Sequence, residues 1–216
     1  MTKGKQRPSK NTEPGVYIIE SLHIDDENDF MEGRMLSGIL ELAGLNNKYN
    51  YVRTERELAY FLDDFINSGF RFLHLSFHGN ETSISTTLDE ISHAGLGKLL
   101  EGKLIYRRLF MSACSSVNDS LAKNVMKISG CNSIIGPSEV VDMDEIAIFW
   151  ASFYHLMFKK NSVAMKKKDI ISTLDSLVKL YDLPIKYYKK STRTPYYNEQ
   201  KLTLESPLPM VTDYDQ

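Results

Sequence analysis

The chain has 216 residues, of which 42% are hydrophobic and 25% are charged, and its 26 basic and 28 acidic residues leave a net charge of −2. This composition is typical of a single globular domain. No apolar run approaches the roughly 20 residues that a membrane-spanning helix needs, so a membrane protein is excluded.

The uneven distribution of charge does not indicate nucleic-acid binding. Residues 159–193 hold ten Lys and Arg against three Asp. Apolar residues at helical spacing interrupt this stretch, which favours a solvated helix face over a phosphate-binding patch. The opposite bias lies in residues 20–32, which hold six acidic residues and no Lys or Arg.

The two cysteines and the N-terminus indicate the compartment. Cys114 and Cys131 are too few for a disulfide framework, which fits a reducing compartment. The usual zinc-ligand spacings are absent, so we predict no metal and no cofactor. Residues 1–14 are basic and polar and lack the apolar stretch of a secretory signal. We therefore predict a cytoplasmic protein with a disordered basic tail over 1–14, one domain over 15–204 and a C-terminal tail over 205–216.

Strand and helix patterns alternate along the chain. Short runs rich in β-branched and aromatic residues predict strands, and apolar residues at i, i+3 and i+4 predict helices. Thr54 is placed to cap the second helix and Gly69 to end it. Residues 80–95 are polar and predict a hairpin or surface loop. The predicted strands are 15–21, 48–54, 70–79, 106–116, 131–138 and 185–191, and the predicted helices are 29–45, 55–69, 96–102, 118–130, 144–160 and 168–181.

This order predicts an α/β fold with a mostly parallel central sheet of about six strands and helices on both faces. Reacting groups in such sheets gather at the carboxyl ends of the strands. His78 ends the third predicted strand, and Cys114 stands near the end of the fourth. If these strands are neighbours, the imidazole and the thiol lie at the same edge of the sheet.

A histidine beside a cysteine is the arrangement that nucleophilic catalysis at a carbonyl requires. The imidazole can take the thiol proton and return it to the leaving amine. Gly79 allows close approach of a substrate carbonyl, and the backbone N–H groups of Gly79 and Cys114 could hold the developing oxyanion. Taken alone, a strand-end cysteine is more often a small buried hydrophobe. Cys131 and His74 are interpreted as structural residues.

The flanking sequence strengthens the catalytic interpretation. An apolar strand that ends in His-Gly, followed by an apolar strand that ends in Ala-Cys, resembles the caspase-like (clan CD) superfamily of cysteine peptidases. The later segment resembles the CHAT branch of that superfamily through four ordered blocks: Ile135-Gly136, Val141-Asp142, Phe153-Tyr154 followed by Leu156, and Ser162-Val163. The resemblance covers about residues 15 to 190. It implies a caspase-like fold in which His78 is the general base and acid and Cys114 is the nucleophile.

The pocket for the residue before the scissile bond departs from the family pattern. Ser112 stands where metacaspases have aspartate and caspases have glutamine, and Glu139 stands where many CHAT sequences have tryptophan. The acidic loop after the first strand helps to line this pocket in the superfamily. A Lys or Arg side chain would be favoured there by one of the loop acids, which are Asp25, Asp26, Glu27 and Asp29, or by Glu139 or Asp142. These acids could equally be solvated or cap the next helix.

Two classes of function follow. The first is a cysteine endopeptidase (a thiol protease) that cleaves a protein substrate, is activated by a partner protein or a small-molecule signal, and acts in prokaryotic antiviral defence. The alternative is a catalytically silent caspase-like scaffold that binds protein partners. A nucleotide-binding protein or another α/β hydrolase is disfavoured, because no Gly-rich phosphate loop or nucleophile elbow is present. We predict neither a nucleic-acid nor a membrane partner.

Overall fold

The computed structural model describes residues 12–27 and 31–202. The strands are β1 (Glu13–Ser21), β2 (Asn47–Tyr51), β3 (Phe70–Gly79), β4 (Ser83–Ser85), β5 (Glu90–Ser92), β6 (Arg108–Ser112), β7 (Ser133–Pro137), β8 (Ile185–Lys190) and β9 (Tyr197–Gln200). The helices are α1 (Glu32–Leu42), α2 (Glu55–Ser68), α3 (His93–Leu99), α4 (Asp119–Ser129), α5 (Met143–Lys160) and α6 (Lys167–Tyr181), and a short 3-10 turn spans Ile24–Asp26.

The central sheet has the order β2-β1-β3-β6-β7-β8-β9. The first five strands are parallel, whereas β8 and β9 are antiparallel to their neighbours. The hairpin of β4 and β5 continues from the end of β3. The predicted mostly parallel α/β sheet is confirmed, and the strands that carry His78 and precede Cys114 are direct neighbours.

Local sequence signals set the ends of several helices. Thr54 accepts a hydrogen bond from the N–H of Glu57, whose side chain bonds back to Thr54 in a capping box. Gly69 ends α2 in the left-handed conformation, with φ of 74°. Asn118 caps α4 by accepting from the N–H of Leu121 at 3.1 Å. These caps fix the end of α2 before β3 and the start of α4 after β6.

Two apolar layers enclose the sheet. One packs α2, α3 and α4 on a face that includes Leu73, Leu75 and Phe77 of β3. The other packs α1, α5 and α6 on the opposite face, to which β3 presents Phe72 and His74. This alternation follows from the twofold repeat of a strand. Among the described residues, no helix is long and apolar enough to cross a membrane.

Some boundaries differ from the sequence prediction. The prediction missed β9, since Tyr197–Gln200 is a short, largely polar edge strand with little apolar alternation. The third helix starts at His93 rather than at 96, because Ser92 caps it by accepting from the N–H of Gly95. Strand β6 ends at Ser112, four residues before the predicted end, because the chain turns at Ser115, which has a φ of 55°. Residues 1–11 of the predicted N-terminal tail, Asp29 of the acidic loop and the whole predicted C-terminal tail, residues 205–216, lie outside the described residues.

Candidate active site

The register of two parallel strands brings His78 and Cys114 together. Ser76 of β3 pairs with Ser112 of β6. His78 follows two residues later, still within β3, and Cys114 follows two residues later in the loop after β6. Neighbouring strands lie roughly 5 Å apart. The sheet therefore brings the two chain segments that carry the imidazole and the thiol next to each other.

Gly79 allows the histidine strand to pack closely on the cysteine loop. A Cβ atom at this position would lie 3.1 Å from the Cβ of Ala113, 3.2 Å from the carbonyl oxygen of Cys114 and 3.4 Å from the Cβ of Ser116. Such distances are shorter than ordinary carbon contacts. The missing side chain is thus a condition for the close approach of the two segments.

The loop that follows β6 holds the cysteine in place. Ser115 donates its backbone N–H to the carbonyl of Glu139 at 2.9 Å, and Val117 donates to the carbonyl of Pro137 at 3.0 Å. Gly136 permits this contact with β7, since a Cβ there would lie 2.3 Å from the carbonyl oxygen of Met111. Cys114 is half-buried, and its thiol donates to the carbonyl oxygen of Val141 at 3.6 Å.

The imidazole of His78 is held by the loop after β1. Its Nε2 lies 2.8 Å from Oδ2 of Asp26, and both side chains are 31% exposed. The ring of His23 stacks on the ring of His78 with centroids 4.2 Å apart and an angle of 21°. When the carboxylate accepts the Nε2 proton, Nδ1 is the ring nitrogen left to accept another proton. Nothing in the sequence pattern placed His23 here.

The predicted oxyanion-hole donors are the backbone N–H groups of Gly79 and Cys114. Asn80 donates its N–H to the carbonyl of Ser83 at 3.0 Å. Bonded and non-bonded pairs alternate along an antiparallel ladder, so Gly79, opposite Ile84, does not donate its N–H to β4. The N–H of Cys114 meets no protein acceptor within residues 12–27 and 31–202. The use of these two groups as oxyanion donors stays a prediction.

An acidic cleft of about 610 Å³ opens next to the imidazole. It is lined by Asp26, His78, Asp142, Met143 and Asp144. Three carboxylates in one cleft favour a cationic side chain. Asp144 was not among the residues that the sequence indicated.

The predicted pocket residues are placed in different ways. Asp26 and Asp142 line the cleft, although Asp26 is also bound to His78. Asp25 is exposed in the adjacent 3-10 turn, and Glu139 is exposed and contributes its backbone carbonyl to the cysteine loop. Ser112 is buried at the end of β6. Three of these five residues therefore do not line this cleft.

A buried polar network joins the strands next to the candidate site to the start of α1. Ser76 donates to Glu32 at 2.5 Å, and Glu20 accepts the N–H of Gly33 at 2.6 Å and the hydroxyl of Tyr49 at 2.8 Å. Burial raises the pKa of Glu20 to about 7. The network connects β1 and β3 to the first turn of α1 and thereby fixes this part of the carboxyl edge of the sheet.

The remaining histidine of β3 and the second cysteine are structural, as predicted. His74 is fully buried, contacts the ring of Trp150 at 5.2 Å and lies 3.1 Å from the hydroxyl of Tyr154. Burial raises the pKa of the Cys131 thiol to about 11. Cys131 is consequently a poor nucleophile at neutral pH.

One set of side chains could hold a metal ion. The ligand atoms of His23, Asp26 and His78 lie within 4.8 Å of one another. Imidazole and carboxylate are ligands that zinc accepts. An ion at this place would occupy the imidazole of His78 and compete with its use as a base.

The central sheet and its two helical layers define a caspase-like α/β fold. The structure is similar to the crystal structure of caspase-1 from Spodoptera frugiperda, with a TM-score of 0.51 and 12% sequence identity, over 93% of this chain and 90% of that chain. No family model matches the sequence, and no curated protein matches it. The structural likeness therefore establishes the fold.

Proposed function

We propose that the protein is a cysteine endopeptidase in which Cys114 is the nucleophile and His78 the general base and acid. The observation that supports this most strongly is the register of β3 and β6, in which Ser76 pairs with Ser112, two residues before His78 and Cys114. The close packing of Gly79 on Ala113 and Cys114 adds to it. The caspase-like fold agrees with such an activity, and the motif blocks favour the CHAT branch.

The reaction would proceed in two halves. The Cys114 thiol proton passes to Nδ1 of His78, and the thiolate sulfur attacks the carbonyl carbon of the scissile peptide bond. The N–H groups of Gly79 and Cys114 stabilise the oxyanion, an effect worth roughly 3 to 4 kcal/mol per donor in a known peptidase. His78 then protonates the leaving amine, the C–N bond breaks, and water hydrolyses the thioester to regenerate the thiol.

Asp26 would act as a positioning residue for this base. Its carboxylate binds Nε2 at 2.8 Å and so favours the tautomer with a free Nδ1. The stacked ring of His23 limits rotation of the imidazole from the side. This third group has the role that orienting carboxylates have in other nucleophile–histidine pairs.

The acidic cleft supports cleavage after a basic residue. Asp142 and Asp144 line it without the close imidazole contact that engages Asp26. A Lys or Arg side chain of a protein substrate would place its charge among these carboxylates, where the attraction is stronger than in bulk water. The substrate class proposed is therefore a polypeptide with a basic residue before the scissile bond.

The thiol contact with Val141 supports a resting state in which Cys114 reacts more slowly than after activation. The S–H donates to that carbonyl oxygen at 3.6 Å, and this is also the observation that favours the silent scaffold. Activation by a partner protein or small molecule would free the thiol for the imidazole. The cytoplasmic location and the role in prokaryotic antiviral defence stay predictions.

The proposal is tested by intact-mass analysis after incubation with peptidyl electrophiles that carry Arg or Leu next to the warhead, in buffer with EDTA. We expect one adduct on the wild type and on Cys131→Ala and none on Cys114→Ala. Labelling that persists in Cys114→Ala, or that disappears in Cys131→Ala, would contradict the assignment of the nucleophile.

A further inference from the structure

An apolar groove runs between α1 and α5, beside the catalytic cleft. It encloses about 450 Å³, and its walls include Met35 and Ile39 from α1 and Ala147 and Ile148 from α5. Met35, Ile39 and Ile148 are 62%, 41% and 53% exposed. Large side chains with this much exposure on facing helices form a patch of the kind that marks an interaction site. We name it the α1–α5 groove.

The spacing of the exposed residues indicates the shape of the occupant. Met35, Ile39 and Leu42 follow one another at i, i+4 and i+7 on α1, and Leu42 is 91% exposed. At 1.5 Å per residue the stripe is about 10 Å long, or two helical turns. A stripe that continues beyond the enclosed volume suits an elongated ligand with apolar groups at helical spacing, which is how an amphipathic helix occupies a groove.

The charge of the groove indicates the polarity of the occupant. Its polar lining comes from Glu32, Asp144 and Ser152. Glu32 is buried, and its carboxylate faces the core, with Oε2 accepting from Ser76 and Oε1 lying 3.6 Å from Nε2 of His74, whereas Asp144 is exposed. Both acids lie in the first turns of their helices, at the carboxyl edge of the sheet. A basic residue at the corresponding end of the occupant would complement Asp144.

The groove is continuous with the catalytic cleft. Met143 and Asp144 line both cavities. Val141, whose carbonyl holds the Cys114 thiol, lies two residues before Met143. A ligand that moved the start of α5 would therefore move the acceptor that holds the thiol.

We infer that the α1–α5 groove is the docking site of an amphipathic helix of a partner protein, with a basic residue at the end nearest the cleft. The partner engages Met35, Ile39 and Ile148 with apolar side chains and Asp144 with its charge. Docking itself is independent of the proposed peptidase activity. Its effect on Cys114, a change in the reactivity of the thiol, rests on the proposed function.

The test measures fluorescence anisotropy of three labelled peptides with the full chain. The first is a designed Leu/Lys helix with Leu at i, i+3, i+4 and i+7. The second has Glu in place of Lys, and the third is a scrambled Leu/Lys sequence. The protein variants are Ile39→Gln and Ile148→Gln, with Leu180→Gln as the matched control, because Leu180 is 65% exposed on α6. Circular dichroism verifies that each variant is folded.

We expect the Leu/Lys helix to bind the wild type and Leu180→Gln equally and both groove variants at least tenfold more weakly. The Leu/Glu and scrambled peptides should bind more weakly than the Leu/Lys helix. Equal affinity for wild type and groove variants, or no binding, would overturn the inference. Light scattering that shows a dimer of the wild type and of Leu180→Gln, but monomers of the groove variants, would also overturn it. The occupant of the groove would then be a second copy of this chain.

The effect of docking on the reactivity of Cys114 is measured separately. Labelling of Cys114 by the Arg electrophile is measured with and without the bound Leu/Lys helix, and we expect its rate to change several-fold. An unchanged rate with the helix bound would refute the effect on the thiol while docking stands. If Cys114 is never labelled, the proposed function fails, and the anisotropy alone decides docking.

Discussion

The carboxylate of Asp26 lies 2.8 Å from the Nε2 atom of His78. In the proposed mechanism this contact sets which nitrogen of the imidazole is available to the thiol of Cys114. It joins the loop after β1 to the end of β3. In the proposed mechanism the carboxylate therefore orients the base, in addition to lining the acidic cleft.

Replacing this carboxylate tests its positioning role. Asp26→Asn keeps an acceptor but adds an N–H donor that favours the other tautomer, so we expect labelling of Cys114 to slow on the order of tenfold to a hundredfold. Asp25→Asn, next to it and exposed, is the control and should label like the wild type. Equal rates for the two variants would show that Asp26 does not position the base.

The close approach at Gly79 can be tested in the same assay. Gly79→Ala would place a Cβ 3.1 Å from Ala113 and 3.2 Å from the carbonyl oxygen of Cys114. The cysteine loop must shift by a few tenths of an ångström, and we expect labelling to fall by about tenfold, since small misplacements cost reactivity.

Gly38→Ala is the matched control for this substitution. It lies in α1 with nothing within 4 Å of the added Cβ. We expect that variant to label normally and to gain up to about 1 kcal/mol of stability, because Ala favours helix over Gly. Unimpaired labelling of Gly79→Ala would contradict the tight contact.

Strand positions and helix caps could be predicted from the sequence because they depend on local pattern, whereas the pairing of β3 with β6 depends on long-range contacts and could not. The alternation in residues 70–79 placed His78 correctly at a strand end, and the helix cap at Thr54 was visible as a capping box. The contacts of Asp26 and His23 depend on how a non-repetitive loop folds back over β3. Asp144 reaches the cleft because α5 begins there, and no periodicity of the sequence encodes that position.

The acidic cleft makes a prediction about specificity. We expect the double variant Asp142→Asn, Asp144→Asn to lose most of its preference for the Arg electrophile over the Leu electrophile, by about tenfold, since two charges that attract the cation are removed. Glu145→Gln, which is exposed and does not line the cleft, should keep the preference. A preference that survives the double variant would rule out this cleft as the specificity pocket.

The buried network predicts a pH dependence of stability. Burial raises the pKa of Glu20 from 4.5 to about 7, so the native state binds a proton that the unfolded state has lost between these values. Stability therefore falls as pH rises from about 4.5 to 7, by up to about 3 kcal/mol from this group. Glu20→Gln should flatten that part of the curve, and Glu41→Gln, on the exposed side of α1, should not.

Urea unfolding at several pH values measures the difference. If the wild type and Glu20→Gln change in parallel across this range, Glu20 is not the group that carries the dependence.

The most direct test of the central claim is the rate of alkylation of Cys114 by iodoacetamide as a function of pH, in the wild type and in His78→Gln, with Cys131 as the internal reference. If His78 takes the thiol proton, Cys114 in the wild type reacts at pH 7 at least tenfold faster than in His78→Gln, while Cys131 stays unreactive in both. Identical pH profiles of Cys114 in the two proteins would contradict a catalytic dyad.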